Sequence, residues 1–145
     1  MIDQPLLPET NQLNESEQNE VDSIFSIIQM IAEVAHEVNR SYCNFIDDNV
    51  LAEWSNVSDH IKESIYAGIL YRIENPNATP EDNHKSWMKT KLSQGWAYSK
   101  TRNDELKLHP NLVPYNKLPT SQRLKDTLFS SVVDTLIKQY NLRVE

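Results

Sequence analysis

His84, Trp87 and Lys91 stand three and four residues apart in "HKSWMKTK". A helix through this stretch puts an imidazole, an indole and an ammonium on one face. The run "GWAYSKTRNDELKLHPNLVPY" follows at Gly95–Tyr115. There Trp96 and Tyr98 alternate, and alternation along a strand points both rings the same way. Aromatic rings beside cations can stack a base and neutralise its phosphates. Trp87 and Tyr98 are therefore candidate stacking platforms. Lys91, Arg102 and Lys107 are candidate phosphate partners, and His84 and His109 can hydrogen-bond a ring or a ribose. The plainer reading of Trp96 and Tyr98 is core filling. For Trp87, flanked by Lys85 and Lys89, core and platform readings stand equal. His36, Asn39 and Arg40 share a second helical face.

The charge distribution bears on the same segment. Net charge is −7, which argues against general nucleic-acid binding. Residues 1–84 carry 3 Lys/Arg and 16 Asp/Glu, whereas residues 85–125 carry 9 Lys/Arg and 2 Asp/Glu. The segment that holds the candidate site is thus a basic island in an acidic chain. It either pairs with the acidic first half or focuses a positive field that attracts a phosphate or carboxylate ligand.

The motifs of catalysis and metal binding are not met. "HEVNR" at 36–40 opens like the zinc-protease helix, but Arg40 stands where the second ligand belongs. One cysteine and four scattered histidines do not make a structural zinc set. No metal or cofactor is expected. The only glycines are Gly68 and Gly95, so there is no glycine-rich phosphate loop. Cys43 has no local signature of an activated thiolate and reads as a small packed side chain. Nothing here demands an enzyme.

The elements that must position these residues are mostly helices. Val21, Ile24, Phe25, Ile28, Ile31, Ala35 and Val38 recur at helical steps and predict a helix over 20–42. Ile61, Ile65, Ile69 and Ile73 predict a second over 58–74, ended by Asn75-Pro76. Thr79 as cap and Pro80 at the first position open a third over 80–94, which Gly95 stops. Leu124, Leu128, Val132, Leu136 and Tyr140 form the expected buried stripe of a fourth over 119–140. "WAYS" at 96–99 and "NLVPY" at 111–115 predict two short strands joined by a loop, a small antiparallel β-hairpin. Pro114 then belongs at an edge or bulge.

The 145 residues, 39% of them apolar, suffice for one domain with a real core. Residues 1–19, polar and without periodicity, are expected to form a flexible acidic arm before a domain at 20–145. No signal peptide or membrane-length apolar run is evident, and the lone cysteine suits a reducing compartment, so a cytoplasmic location is expected.

"HKSWMKTKLSQGWAY", "TRND", "HPNLVPYNKLP" and "TLIKQYNLRVE" together resemble the ryanodine-receptor (RyR) domain. Trp87, Gly95-Trp96-Ala97-Tyr98, Arg102 and Asp104, His109-Pro110, Leu112-Val113-Pro114-Tyr115 and Leu118-Pro119 occupy that module's places in order, over residues 79–145. "AHEVNRSYC", Trp54, "KESIYAGI" and "TPEDNHKSWM" are similar to stand-alone members from bacteria and their phages. One departure is Ser99, where the family has glycine after the tyrosine. The resemblance implies a cytosolic module, associated in the channels with adenine nucleotides. In microbial relatives it implies sensing or sequestering of nucleotide-derived signals.

The combined expectation is a mainly α, single-domain protein of about four helices with a small β-hairpin. Its expected role is a non-catalytic binding module for a nucleotide or nucleotide-derived small molecule, adenine nucleotide or ADP-ribose-like, with sequestration following if the gene is of bacteriophage origin. The rivals are a protein-interaction module, including self-association into a homo-oligomer, and an enzyme acting on nucleotide derivatives.

Overall fold

The computed structural model describes residues 12–143. Four α-helices carry the chain: α1 (Glu15–Phe45), α2 (Asp59–Glu74), α3 (Pro80–Ser93) and α4 (Thr120–Gln139). Two-residue strands β1 (Ala97–Tyr98) and β2 (Leu108–His109) lie between α3 and α4, and short 3₁₀ turns occupy Trp54–Asn56 and Tyr115–Lys117. The molecule is mainly helical, as its periodicity requires.

Helix α1 starts at Glu15, inside the expected arm, because Asn14 and Glu17 form a reciprocal capping box. Residues 1–11 of that arm lie outside the described residues. Helix α3 carries a second capping box, Thr79 with Asp82, and Pro80 opens it. It closes in a Schellman motif: Gly95 N–H bonds Leu92 O, and Trp96 N–H reaches back to Lys91 O at 3.0 Å. Gly95 sits at φ +89°, a conformation that side-chain-bearing residues resist.

The helices form a bundle in which α1 packs on α4 and α2, and α3 on α2 and α4. α1 and α4 run antiparallel. Ile31 meets Ile137 in the core, while Tyr42 Oη donates to Ser121 O at 2.7 Å at the opposite end. The sealed core is Ile31, Ala32 and Ala35 of α1, Ile69 of α2, and Val133 and Ile137 of α4. The stripe of α4 is therefore rotated from the expected one. Phe129, Val133 and Ile137 point inward, the expected Val132 and Leu136 pack at the edge of the core, and Leu124 and Tyr140 are exposed. Likewise Val21, Ile24 and Phe25 are exposed, because α1 outruns its partners by about three turns. Gly68 lets α2 and α4 approach, since a Cβ there would lie 2.9 Å from the Phe129 ring.

The small sheet differs from the expected hairpin. β1 and β2 pair in parallel, Ala97 with Leu108 and Tyr98 with His109. The reversal happens earlier, in a tight turn where Asn103 and Leu108 exchange backbone hydrogen bonds of 2.9 and 2.8 Å. Asn103 Oδ1 accepts from Leu106 N–H, and Lys107 adopts φ +55° to complete the turn. The chain then leaves the turn running in the direction of β1. Residues 111–115 are not a strand. Pro110 and Pro114 lack the N–H groups a ladder needs, and Pro114 instead caps the second 3₁₀ turn.

Candidate functional site

Between the second half of α1 and the facing parts of α2, α3 and α4 lies a cavity of about 210 Å³. Helix α3 supplies its working face. Asn83, His84, Trp87 and Lys91 fall at helical spacing along about 12 Å of the helix, and all four line the cavity. Arg102 and His109 reach it from the β-segment, and Lys125 and Asp126 from α4. Five of the seven residues expected at a site, His84, Trp87, Lys91, Arg102 and His109, thus meet around one space.

The other two do not. Tyr98 is 57% exposed and stands off the cavity. The strand it was expected to share with Trp96 is only two residues long. Trp96 precedes it, as part of the Schellman closure, and turns inward to 3% exposure. Lys107 is likewise off the cavity, and its ammonium donates to Gln94 O at 2.8 Å, capping the end of α3.

Trp87 is the aromatic wall. The His84 ring stacks on it at 5.6 Å, and the His109 ring meets it edge-on at 5.0 Å. Both histidines are held by the backbone. His84 Nε2 donates to Val113 O at 2.7 Å. His109 Nδ1 accepts from Asn111 N–H at 3.0 Å, so this imidazole is neutral with its proton on Nε2. Burial and the nearby Arg102 and Lys91 charges push its pKa down to about 3.

Lys91 is the least ordinary group. It is only 5% exposed, and its ammonium lies 4.9 Å from the centre of the Trp96 ring. It forms no ion pair or hydrogen bond among the described residues. Burial, then Arg102, depresses its pKa to about 8. An ammonium on a buried side chain with no carboxylate beside it carries a desolvation cost, and the indole face offsets only part of that cost. The other two cations lining the cavity have partners. Arg102 is forked onto Asp104 at 2.7 and 3.3 Å. Lys125 pairs with Asp48 at 2.8 Å. Gln122 also donates to Asp48 at 2.9 Å, and together these hold the Asp48 carboxyl down near pKa 2 despite its burial. Around the cavity the basic segment therefore pairs with the acidic first half at Lys125, pairs internally at Arg102, and leaves Lys91 without a carboxylate among the described residues.

Asn83, Lys125 and Asp126 were not singled out by sequence. Asn83 Nδ2 donates to Asp126 Oδ1 at 3.0 Å, and burial raises the Asp126 pKa. Asn83 lies four residues before Trp87, and that spacing was the one available signal. From α1, Asn39 and Cys43 also line the cavity, with burial raising the Cys43 thiol. Among the described residues no group of three or more His, Cys, Asp or Glu is placed to hold a metal ion. No helix among them is long and apolar enough to cross a membrane.

The cavity joins two stretches of different standing. α1 and nearly all of α2 supply one wall. The other wall, with Asn83, Trp87, Lys91, Arg102 and Asp126, falls within residues 74–143, which match the family model of the RyR domain. Across α3, the two strands and α4, this chain carries a RyR domain.

Proposed function

We propose that this chain is a non-catalytic binding module for a nucleotide-derived small-molecule anion. The observation that carries the reading is Lys91, an unmatched ammonium buried beside an aromatic-walled cavity. An anionic ligand would supply the counter-charge that the fold withholds. Trp87, with His84 stacked on it and His109 edge-on to it, offers an aromatic wall for a ligand ring at the part of its surface they leave open. The backbone bonds of His84 and His109 favour positioning over proton transfer, since each ring has one nitrogen already engaged. A module that binds without turnover acts as a sensor or a sink for its ligand.

Volume sets a size preference. At about 210 Å³ the cavity exceeds the engineered hole that takes up benzene, about 150 Å³. It falls short of the roughly 300–1,000 Å³ of pockets that enclose drug-sized ligands. A ring with a small appended group fits inside, and anything larger must extend through the mouth. Mononucleotides are thus favoured over ADP-ribose-like ligands.

Calorimetric titration with AMP and with ADP-ribose tests the reading. Saturable binding of the mononucleotide, lost in Lys91→Met, is the expected result. No heat from either at millimolar ligand, with folded protein, would overturn it. The interaction-module reading, which rests on the exposed Val21, Ile24 and Phe25 of α1, would then be the stronger.

A further inference from the structure

The two ends of the α3 face ask for different chemistry. At one end, Asp126 Oδ1 is occupied by Asn83 Nδ2 at 3.0 Å. Asp126 Oδ2 has no hydrogen-bond partner among the described residues. His84 Nδ1 lies 3.7 Å from it, too far for a hydrogen bond, and the other nitrogen of His84 is committed to Val113 O. The Asp126 side chain is 13% exposed, and the residue lines the cavity. A carboxylate only accepts, so an N–H or O–H group is what satisfies it. At the other end, about two helical turns and 12 Å along α3 from Asn83, Lys91 only donates and lacks an anion. Trp87 lies between them on the same face. The cavity is therefore polarised along its length, acceptor to ring face to cation.

We propose that the cavity takes its ligand in one orientation, with an amino-bearing ring edge on Asp126 and an anionic group toward Lys91. The ligand class is an amino-substituted heterocycle that carries a phosphate or carboxylate. This rests on the binding reading above and sharpens it. Replacing the amino group by hydrogen would leave the Asp126 carboxylate facing a C–H edge, without the donor it needs. A site built to receive a donor rejects an analogue without one more strongly than any apolar pocket rejects a size change. Asp126 is thus the specificity-determining residue, and Asn83 the residue that positions it.

The test is calorimetry on the full chain with two ligand pairs, AMP against purine riboside 5′-monophosphate and CMP against 2-pyrimidinone riboside 5′-monophosphate. Each pair shares ribose, phosphate and ring nitrogens and exchanges the exocyclic amino group for hydrogen. The amino member is expected to bind more tightly by roughly 5- to 150-fold in whichever pair binds, the range for leaving a buried polar group unpaired. Asp126→Asn keeps the shape but puts a weaker, neutral acceptor in place of the carboxylate, so it should shrink the ratio toward one. Lys91→Met should weaken both members of a pair and leave their ratio unchanged. Equal affinities in the native chain overturn the orientation while leaving the binding reading intact. Absence of binding by all four overturns both. A ratio unchanged in folded Asp126→Asn removes Asp126 from the role, and if that variant does not fold the native ratio alone decides.

Discussion

At one end of the bundle Ile31, Ile69, Val133 and Ile137 exclude solvent completely. Toward the other end the same helices part around a cavity lined by Asn39, Asn83, Lys91 and Asp126. α2 shows the change within one helix: Ile69 is sealed in the core, while Ile61, two turns earlier, faces the cavity. The packed end stabilises the fold. The hollow end forgoes contact area and retains a lysine without a partner, so its residues are poorly explained by stability. That contrast is the physical basis for placing function there.

The largest test of the contrast compares truncations at the two ends. Ile137→Ala removes a side chain surrounded on all sides and should cost about 2–5 kcal/mol in denaturant unfolding. Ile61→Ala enlarges a space that already exists and should cost closer to about 1 kcal/mol. Equal losses would mean that the cavity end is as tightly built as the core, and the division into two regions would fail.

The sequence showed this division unevenly. The four-residue ladder Ile61, Ile65, Ile69, Ile73 marks α2, yet nothing in it separates the sealed half from the hollow half. That depends on what α3 and α4 place opposite. Thr79-Pro80 and Gly95 bounded α3 well, because capping and left-handed geometry are local. The Asn14–Glu17 box was equally local but was obscured by the polar composition around it. Parallel pairing of β1 and β2 was hidden, since it follows from the Asn103 side chain and the backbone of Lys107 rather than from alternation. At the site, the spacing of His84, Trp87 and Lys91 was legible along one helix. The contribution of Asp126, 43 residues from its partner Asn83, was not. The burial of Lys91 was also not legible, because it depends on the Trp96 ring folding back over α3.

A second, smaller effect probes the hollow end directly. Lys91→Met replaces a buried ammonium by an apolar side chain of similar length. The variant should be more stable than the native protein at pH 7 by roughly 1–3 kcal/mol, while losing anion binding. The pH dependence has a definite sign. The folded-state pKa of Lys91 is lowered from 10.5 to about 8, so between those values the unfolded chain holds a proton that the folded chain has released. Native stability should therefore gain from Lys91 as pH rises through this window, by at most about 1.4 kcal/mol per pH unit. Cys43, whose thiol pKa is raised, contributes with the opposite sign in the same region. Subtracting the Lys91→Met profile from the native one isolates the lysine. A flat difference between pH 8 and 10.5 would show that Lys91 is not held dry.

The smallest effect concerns the mouth, where the contrast between matched and unmatched cations can be altered by one atom. Arg102 is paired with Asp104, whose side chain is 47% exposed, and the hydrogen bond from Arg102 leads the causes that lower the Asp104 pKa. A pair this open to water is worth less than about 1 kcal/mol, so Asp104→Asn should hardly move the unfolding midpoint at pH 7. It should nevertheless change binding, because it leaves Arg102 without its carboxylate on the edge of a cavity that already holds one unmatched cation. Affinity for a phosphate-bearing ligand should rise by roughly 2- to 5-fold at low ionic strength, the scale of a single exposed charge pair. The gain should shrink as salt screens the mouth. Asp104 also helps keep Lys91 protonated, so its neutralisation should move the Lys91 titration to lower pH. The two effects separate by pH. Below pH 7 Lys91 stays charged and the gain from Arg102 stands alone, whereas near pH 8 the loss of the Lys91 proton offsets it. A variant whose affinity is unchanged at both salt concentrations and both pH values would place Arg102 outside the reach of the ligand and confine recognition to the α3 face.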